Sequence, residues 1–578
     1  MIRNAVLVKK AQAIWVKATR NQDLISCLIL AVLFWAARYW FVAGFGLYED
    51  DLTIIPRAAA MSFPEVLQFI WVYITHLYGH ARPLSDSFIY LFSNLGWRLG
   101  GLRGIYAIGY LITLANILLF YFLIRRVSNS ALALTAAMAY CLYSADTTQA
   151  FLTHSLGVQP SITLLLAAAH NYLSKRKWLA YLLSFLILFS YETPFLVFLG
   201  VPLLQRKWNG KLVKEFILHG IILGAMLALI FVLRSAIGEG RVSGLSGNEI
   251  FSIPLQQVLQ GTRVSLTKYI RLAEQTARTL LQNGSGFTPI LVAFILLFTV
   301  FWGKVRKEIP GGIVAAFDQV SIKPEKFHIP GEFLQLGQLA VCALVMVAAA
   351  YPLTFTTQAN IVLGRESRVH LAAVVGNAIL MGVLVYALLT LAKRLRLILP
   401  GCILAAAWLA LLVGYGFDIQ RDYQKAWQLQ REFWRQVVEL VPDADENTVI
   451  LVEPTGLQDT VQIDANTWNV PRVLPLLFTM PEAWKAPPRV YRLREHWEDN
   501  LAASPTEFLL DDKTVTAPPS LYGVFPSSDI VFLDTRSGSM QRRNDALPIH
   551  GTDYELKPIT DPVLPRLPHS LLYSLMFN

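Results

Sequence analysis

The chain has 578 residues, of which 54% are hydrophobic and only 16% charged, with a mean hydropathy of +0.45. Soluble domains carry about 25% charged residues, so this composition excludes a string of ordinary soluble domains. The formal charge of +10 falls largely at the ends of apolar blocks, so it reads as the basic bias of cytoplasmic membrane loops and not as a nucleic-acid surface.

The apolar residues gather in near-uncharged blocks of roughly 17–25 residues, the length that crosses a bilayer core. In chain order the expected spans are 24–43, 103–124, 131–145, 158–173, 178–190, 193–204, 216–236, 287–303, 335–355, 369–391 and 397–416. The first block is too long for a cleaved signal and no small-residue cleavage site follows it. Cys27, Cys141, Cys342 and Cys402 all lie within apolar blocks. They read as small buried hydrophobes, with no disulfide framework or cysteine metal site.

Segment 178–204 has two readings: one long helix with Glu192 inside it, or a hairpin turning at Ser190-Tyr191-Glu192-Thr193-Pro194. Lys175, Arg176 and Lys177 precede it, and Arg206, Lys207, Lys211 and Lys214 follow it. Only a hairpin keeps both basic clusters on one side. The residue before proline avoids the α region, which suits a turn at Thr193. Glu192 then avoids the bilayer centre. The expected fold is therefore mainly α: a polytopic transmembrane helical bundle of about eleven spans, N-terminus cytoplasmic. A small C-terminal α/β soluble domain lies outside. The expected division is 1–416 and 417–578.

Loops 44–102, 146–157, 237–286 and 356–368 then share the outer side with the tail. Ser62–Tyr78, Asp86–Leu99 and 255–282 are amphipathic and predict helices lying in the membrane interface. The inner loop 304–334, with Pro310-Gly311-Gly312 and Pro330-Gly331, predicts irregular chain. In the tail, Asp418–Leu440 predicts a polar, aromatic-rich helix. Thr448–Val452, Val490–Arg492 and Ile530–Leu533 predict strands.

The residues with chemistry collect on the outer side. Glu49, Asp50 and Asp51 crowd like charges just after the first span. Crowding raises at least one pKa or attracts a cation, which suits a general base or an oxygen-ligated divalent metal; a solvated acidic loop is the plainer alternative. Gly79-His80-Ala81-Arg82-Pro83-Leu84 follows, and the planar fork of Arg82 matches phosphate oxygens. Asp146, with His154 in the same loop, and Glu192 add further acids. Arg365 and Arg368, in Gly364-Arg365-Glu366-Ser367-Arg368, run against the positive-inside bias. They read as a grip on phosphate or as snorkelling anchors. Acids and arginines converging on one face suit a substrate with a phosphate head and a lipid tail.

These motifs give the chain a resemblance over about 1–416 to the GT-C superfamily of polyprenyl-phosphate-sugar-dependent membrane glycosyltransferases. It looks most like bacterial, O-antigen glucosyltransferase-like members that build cell-envelope polysaccharide. The resemblance implies an inverting hexosyltransferase acting at the extracytoplasmic face of a bacterial inner membrane. Its partners would be a polyprenyl-phosphate-linked sugar, a glycan, lipid or protein acceptor, and membrane lipid. It implies Asp50 as base, Asp51 or Glu49 as its partner and Asp146 as a second acid. Arg365, Arg368 and Arg82 would contact the donor phosphate, with Glu192 and His80 nearby. A divalent cation stays open. A flippase of lipid-linked glycan and a non-catalytic assembly protein are the competing readings.

Overall fold

The computed structural model describes residues 2–77, 81–143, 145–148, 150–205, 208–239, 249–283, 286–307, 331–354, 358–461 and 470–577. Gly79, His80 and Pro310-Gly311-Gly312 lie outside the described residues.

Helix α1 (Ile2–Tyr39) leads into α2 (Asp51–Ala60), α3 (Phe63–His76), α4 (Pro83–Val127) and α5 (Ser130–Cys141). Ser62 starts α3 through a reciprocal capping box with Glu65, which satisfies amide donors that have no partner inside the helix. The amphipathic segment 86–99 and the span 103–124 share one helix, α4. It kinks at Gly100–Gly101, where Gly101 has φ +60, a conformation a side chain would disfavour. A π-helical turn (His154–Val158) precedes α6 (Gln159–Leu173), then α7 (Lys177–Ser190) and a 3-10 segment (Phe195–Leu204). The helical run therefore breaks at Tyr191–Pro194, and the two apolar halves of 178–204 are separate elements. Next come α8 (Gly210–Ala236), α9 (Glu249–Asn283), α10 (Phe287–Lys307) and α11 (Gly331–Ala349). A 3-10 segment (Arg365–Ala373) opens α12 (Val374–Arg394), and α13 (Ile398–Leu440) follows.

Among the described residues six helices are long and apolar enough to cross a membrane: Asn21–Gly44, Pro83–Val127, Gly210–Ala236, Phe287–Arg306, Arg365–Arg394 and Ile398–Leu440. That is fewer than the eleven expected. Ser130–Cys141, Lys177–Ser190, Phe195–Leu204 and Phe333–Ala349 are apolar but shorter; at 1.5 Å per residue the 12-residue α5 reaches about 18 Å. Blocks 131–145 and 335–355 run on past their helices, which stop at Cys141 and Ala349, whereas 158–173, 178–190 and 193–204 are short in the sequence itself. Apolar side chains such as Ile217, Leu218, Ile221 and Val232 on α8, and Val292, Ile295 and Leu296 on α10, face outward. Apolar stripes of this extent mark a membrane protein. Every residue of α5 is buried. It meets α12 closely enough that a Cβ on Gly382 would lie 2.5 Å from Ala136, the small-residue packing of membrane helices.

Basic side chains tie helix ends together at one end of the bundle. Arg125 pairs with Asp23, Arg126 donates to the Leu173 carbonyl, Lys177 pairs with Glu215, and Lys304 donates to Ser130.

At the other end α13 runs unbroken through 416–417, so the expected division falls inside a continuous helix. Tyr423, Ala426, Trp427, Gln430, Phe433, Trp434 and Val437 are buried at helical spacing and carry the helix past the apolar block. The tail then forms β1 (Val449–Val452), α14 (Val470–Leu477), β2 (Arg489–Arg492), α15 (Glu498–Leu501), β3 (Ala502–Ser504), β4 (Glu507–Leu510), β5 (Gly523–Pro526) and β6 (Ile530–Asp534). β7 (Gln541–Arg542), β8 (Leu547–Ile549), β9 (Thr552–Tyr554) and α16 (Leu571–Phe577) complete it. The three strands expected from sequence are the parallel core of a sheet ordered β2-β1-β6-β7, with β7 antiparallel. Ile450, Val452, Val490, Val531 and Leu533 face the core shared with the helices, while Val449, Leu451, Tyr491 and Phe532 build a second core behind the sheet, the two-residue period of a strand. α14 and α16 pack on α2, and Arg431 of α13 donates to the Met576 carbonyl at 2.5 Å. The α/β unit is thus seated on the helix that begins with Asp51.

Candidate active site

Each of the three clustered acids has a different environment. Glu49 adopts φ +48, outside the usual range for a side-chain-bearing residue, and the turn it makes starts α2 at Asp51. The Asp51 carboxylate is fully buried and accepts from the backbone N–H of Leu152 at 3.0 Å and of Thr153 at 2.8 Å. It joins the segment after α1 to the segment after α5. Burial pushes its pKa up to about 7 against the lowering effect of those two N–H donors, and the Asp50 charge adds to the rise. Asp50, by contrast, keeps 28% of its side chain exposed and places Oδ2 2.6 Å from Nη2 of Arg365. Glu49 Oε2 lies 3.5 Å from Nε of the same arginine. Gly364, with φ +69 and ψ −166, supplies a backbone shape restricted to glycine and turns the chain into the segment carrying Arg365.

Asp146 is buried and accepts from the N–H and hydroxyl of Thr148 at 2.9 and 2.6 Å. Burial raises its pKa; Thr148, Arg38 and Arg368 act the other way. Its neighbour Thr147 receives Tyr423 of α13 on its carbonyl at 2.7 Å and donates its N–H to Ser367 at 3.0 Å. The loop holding Asp146 is therefore fixed to the segment holding Arg365 and Arg368. Arg368 Nη1 lies 3.4 Å from His154 Nε2, while His154 Nδ1 is buried with no hydrogen-bond partner. Burial, then the Arg368 and Arg365 charges, push the His154 pKa well down, so the ring is neutral. Since Nε2 faces a guanidinium donor, the tautomer assigned to it carries the proton on Nδ1.

Arg82 and Glu192 form a second cluster. Arg82 Nε donates to Glu192 Oε2 at 2.8 Å, its Nη2 donates to Oε1, and its guanidinium lies 4.5 Å over the Tyr191 ring. Arg234 reaches Glu192 at 3.5 Å and donates to the Leu188 carbonyl at 3.0 Å. The fork that sequence offered to phosphate is engaged by a carboxylate. His80 lies outside the described residues. Among the described residues no group of three His, Cys, Asp or Glu is placed to hold a metal; Asp50 is turned to a guanidinium and Asp51 to backbone amides. Set against protein-family models and curated proteins, the chain matches none.

Arg38, Arg234, Ser367 and Tyr423 were not singled out by sequence. A usable signal existed for the arginines, since both lie within apolar blocks where a charge is costly and marks function.

Proposed function

We propose that the chain is a membrane glycosyltransferase that moves a sugar from a polyprenyl-phosphate donor to a hydroxyl acceptor. The observation that carries this reading is the partly exposed Asp50 carboxylate held beside Arg365, with Asp146, Arg368 and neutral His154 fixed around it. Asp50 takes the proton of the acceptor hydroxyl. The oxygen forms its bond to the anomeric carbon from the face opposite the phosphate, the carbon–oxygen bond to phosphate breaks, and configuration inverts. Negative charge grows on the leaving lipid phosphate, which preorganised Arg365 and Arg368 stabilise. Fully buried Asp51 positions the loop and does not touch substrate.

Topology supports the same reading. The basic residues Arg125, Arg126, Lys177 and Lys304 gather at the end opposite the acids, which makes that end cytoplasmic under the positive-inside rule. The Asp50 end and the α/β domain are then extracytoplasmic, the N-terminus is cytoplasmic, and the shorter helices complete about eleven crossings. The domain, packed on α2, borders the acceptor side of the site.

Purified protein given radiolabelled polyprenyl-phosphate sugars and candidate acceptors should transfer sugar. Asp50→Asn should lose about 100-fold or more, the contribution of a positioned base. Equal transfer by wild type and Asp50→Asn would overturn the assignment; no transfer to any acceptor would leave the flippase and assembly readings standing instead.

A further inference from the structure

A network of buried hydrogen bonds crosses five segments of the bundle. The side-chain amide of Asn377 on α12 donates to the Tyr143 hydroxyl at 3.1 Å, and that hydroxyl lies 3.1 Å from Ser265 Oγ on α9. Ser265 bonds the Tyr351 hydroxyl, which lies 2.9 Å from His370 Nδ1, and His370 Nε2 lies 2.8 Å from the Ile361 carbonyl. None of these five side chains is more than 2% exposed. A carbonyl only accepts, so the tautomer assigned to His370 carries its proton on Nε2, and Nδ1 accepts from Tyr351. Tyr351 then accepts from Ser265, Ser265 from Tyr143 and Tyr143 from Asn377. Each hydroxyl donates once and accepts once, the condition under which a buried polar network rigidifies its surroundings.

Both ends of the network lie beside the candidate site. Tyr143 precedes Asp146 by three residues, and His370 follows Arg368 by two. Helix α9 carries the middle, and it meets its neighbours at successive turns of one face, since positions four apart lie one above the other. Gln257 accepts the Ala359 N–H at 2.7 Å, Gly261 sits so close to the Tyr351 ring that a Cβ would collide with it, and Ser265 makes the bonds above. One turn further, the Tyr269 hydroxyl donates to the Ala139 carbonyl at 2.7 Å.

We infer that α9 is a brace that sets the Arg365–Ala373 segment against the loop carrying Asp146, with Ser265 and Tyr351 as its positioning residues. They act at one remove, through His370 on one side and Tyr143 on the other. The catalytic consequence rests on the glycosyltransferase reading. Arginines held in place before charge develops stabilise it best, so loosening them lowers kcat.

Amide hydrogen exchange on the full chain in detergent tests the placement, and labelled-sugar transfer tests its consequence. Tyr351→Phe and Ser265→Ala should each speed exchange about fivefold or more, the effect of a lost hydrogen bond, in Arg365–Ala373 and around Thr147. Strands β1 and β6 should keep the wild-type pattern. The double variant should match the worse single, because both hydroxyls belong to one network. kcat should fall about tenfold or more, as misplaced groups cost, with KM nearly unchanged. Tyr172→Phe, which removes a buried hydroxyl bonded to Glu215, should alter neither measurement. If Ser265→Ala fails to fold, Tyr351→Phe, which keeps the ring against Gly261, carries the test. Unchanged exchange in both segments, acceleration spread evenly through the chain, or local loosening with wild-type kinetics would each overturn the inference. If wild type transfers no sugar, the glycosyltransferase reading fails, and exchange alone decides for or against the brace.

Discussion

Neighbouring acids in one short run have separate tasks because burial separates them. Asp51 offers no surface to a substrate but receives the backbone N–H groups of Leu152 and Thr153. Replacing it by Asn turns an amide N–H₂ toward one of those donors, so Asp51→Asn should cost about 1–3 kcal/mol, the penalty of a buried unsatisfied group, read as a lower unfolding midpoint. Its pH dependence has a definite sign. The folded value near 7 lies above the unfolded carboxyl value of about 4, so protonation favours the folded state. That contribution is complete below about pH 4 and is lost as pH rises through about 7. Wild type should therefore lose stability across that window relative to Asp51→Asn, which has nothing to titrate there. In the second cluster, Glu192→Gln strands Arg82 and Arg234 and should cost about 3–5 kcal/mol. A double-mutant cycle with Arg82→Met should recover part of that loss, because the stranded charge is removed as well.

Whole elements were legible where their pattern is local. The strands at 449–452, 489–492 and 530–534 follow short apolar runs bounded by polar residues, and α3 starts at a capping box readable as Ser62-x-x-Glu65. Helix lengths were less legible, since hydropathy does not say where an apolar run leaves the helix: residues 131–145 form one block, but α5 stops at Cys141. Helix α3 leaves Phe63, Leu67, Trp71 and Ile74 exposed along one side, the stripe an interfacial helix buries in lipid. Trp71 fluorescence should be quenched by brominated lipid in reconstituted vesicles, and an unquenched signal would take α3 out of the interface. At Gly364, with φ +69, an alanine should cost about 1–2 kcal/mol and swing Arg365 from Asp50, lowering sugar transfer in the labelled-donor assay more than it lowers the unfolding midpoint.

Across the whole molecule, the α/β unit and the helices share one apolar core, and α14 and α16 cover α2. Cutting the chain after Leu440 would uncover α2 and the buried stripe of α13. The truncated protein should aggregate on extraction, measured as loss of a monodisperse peak in size-exclusion chromatography. A reporter fused after Arg206 should read cytoplasmic, and one at the C-terminus extracytoplasmic; both on one side would reverse the topology on which the site's exposure to acceptor depends.

Composition and hydropathy by themselves determined an apolar helical bundle with an α/β tail, because low charge and long apolar runs act residue by residue along the chain. The acids and arginines were also visible, since polar groups at the edges of apolar blocks stand out. Only the tertiary structure decided their partners: Asp51 with Leu152 and Thr153, Asp50 with Arg365, Arg82 with Glu192. Those pairings join residues about a hundred or more positions apart, and a charge's burial and counter-ion depend on which helix ends meet in space.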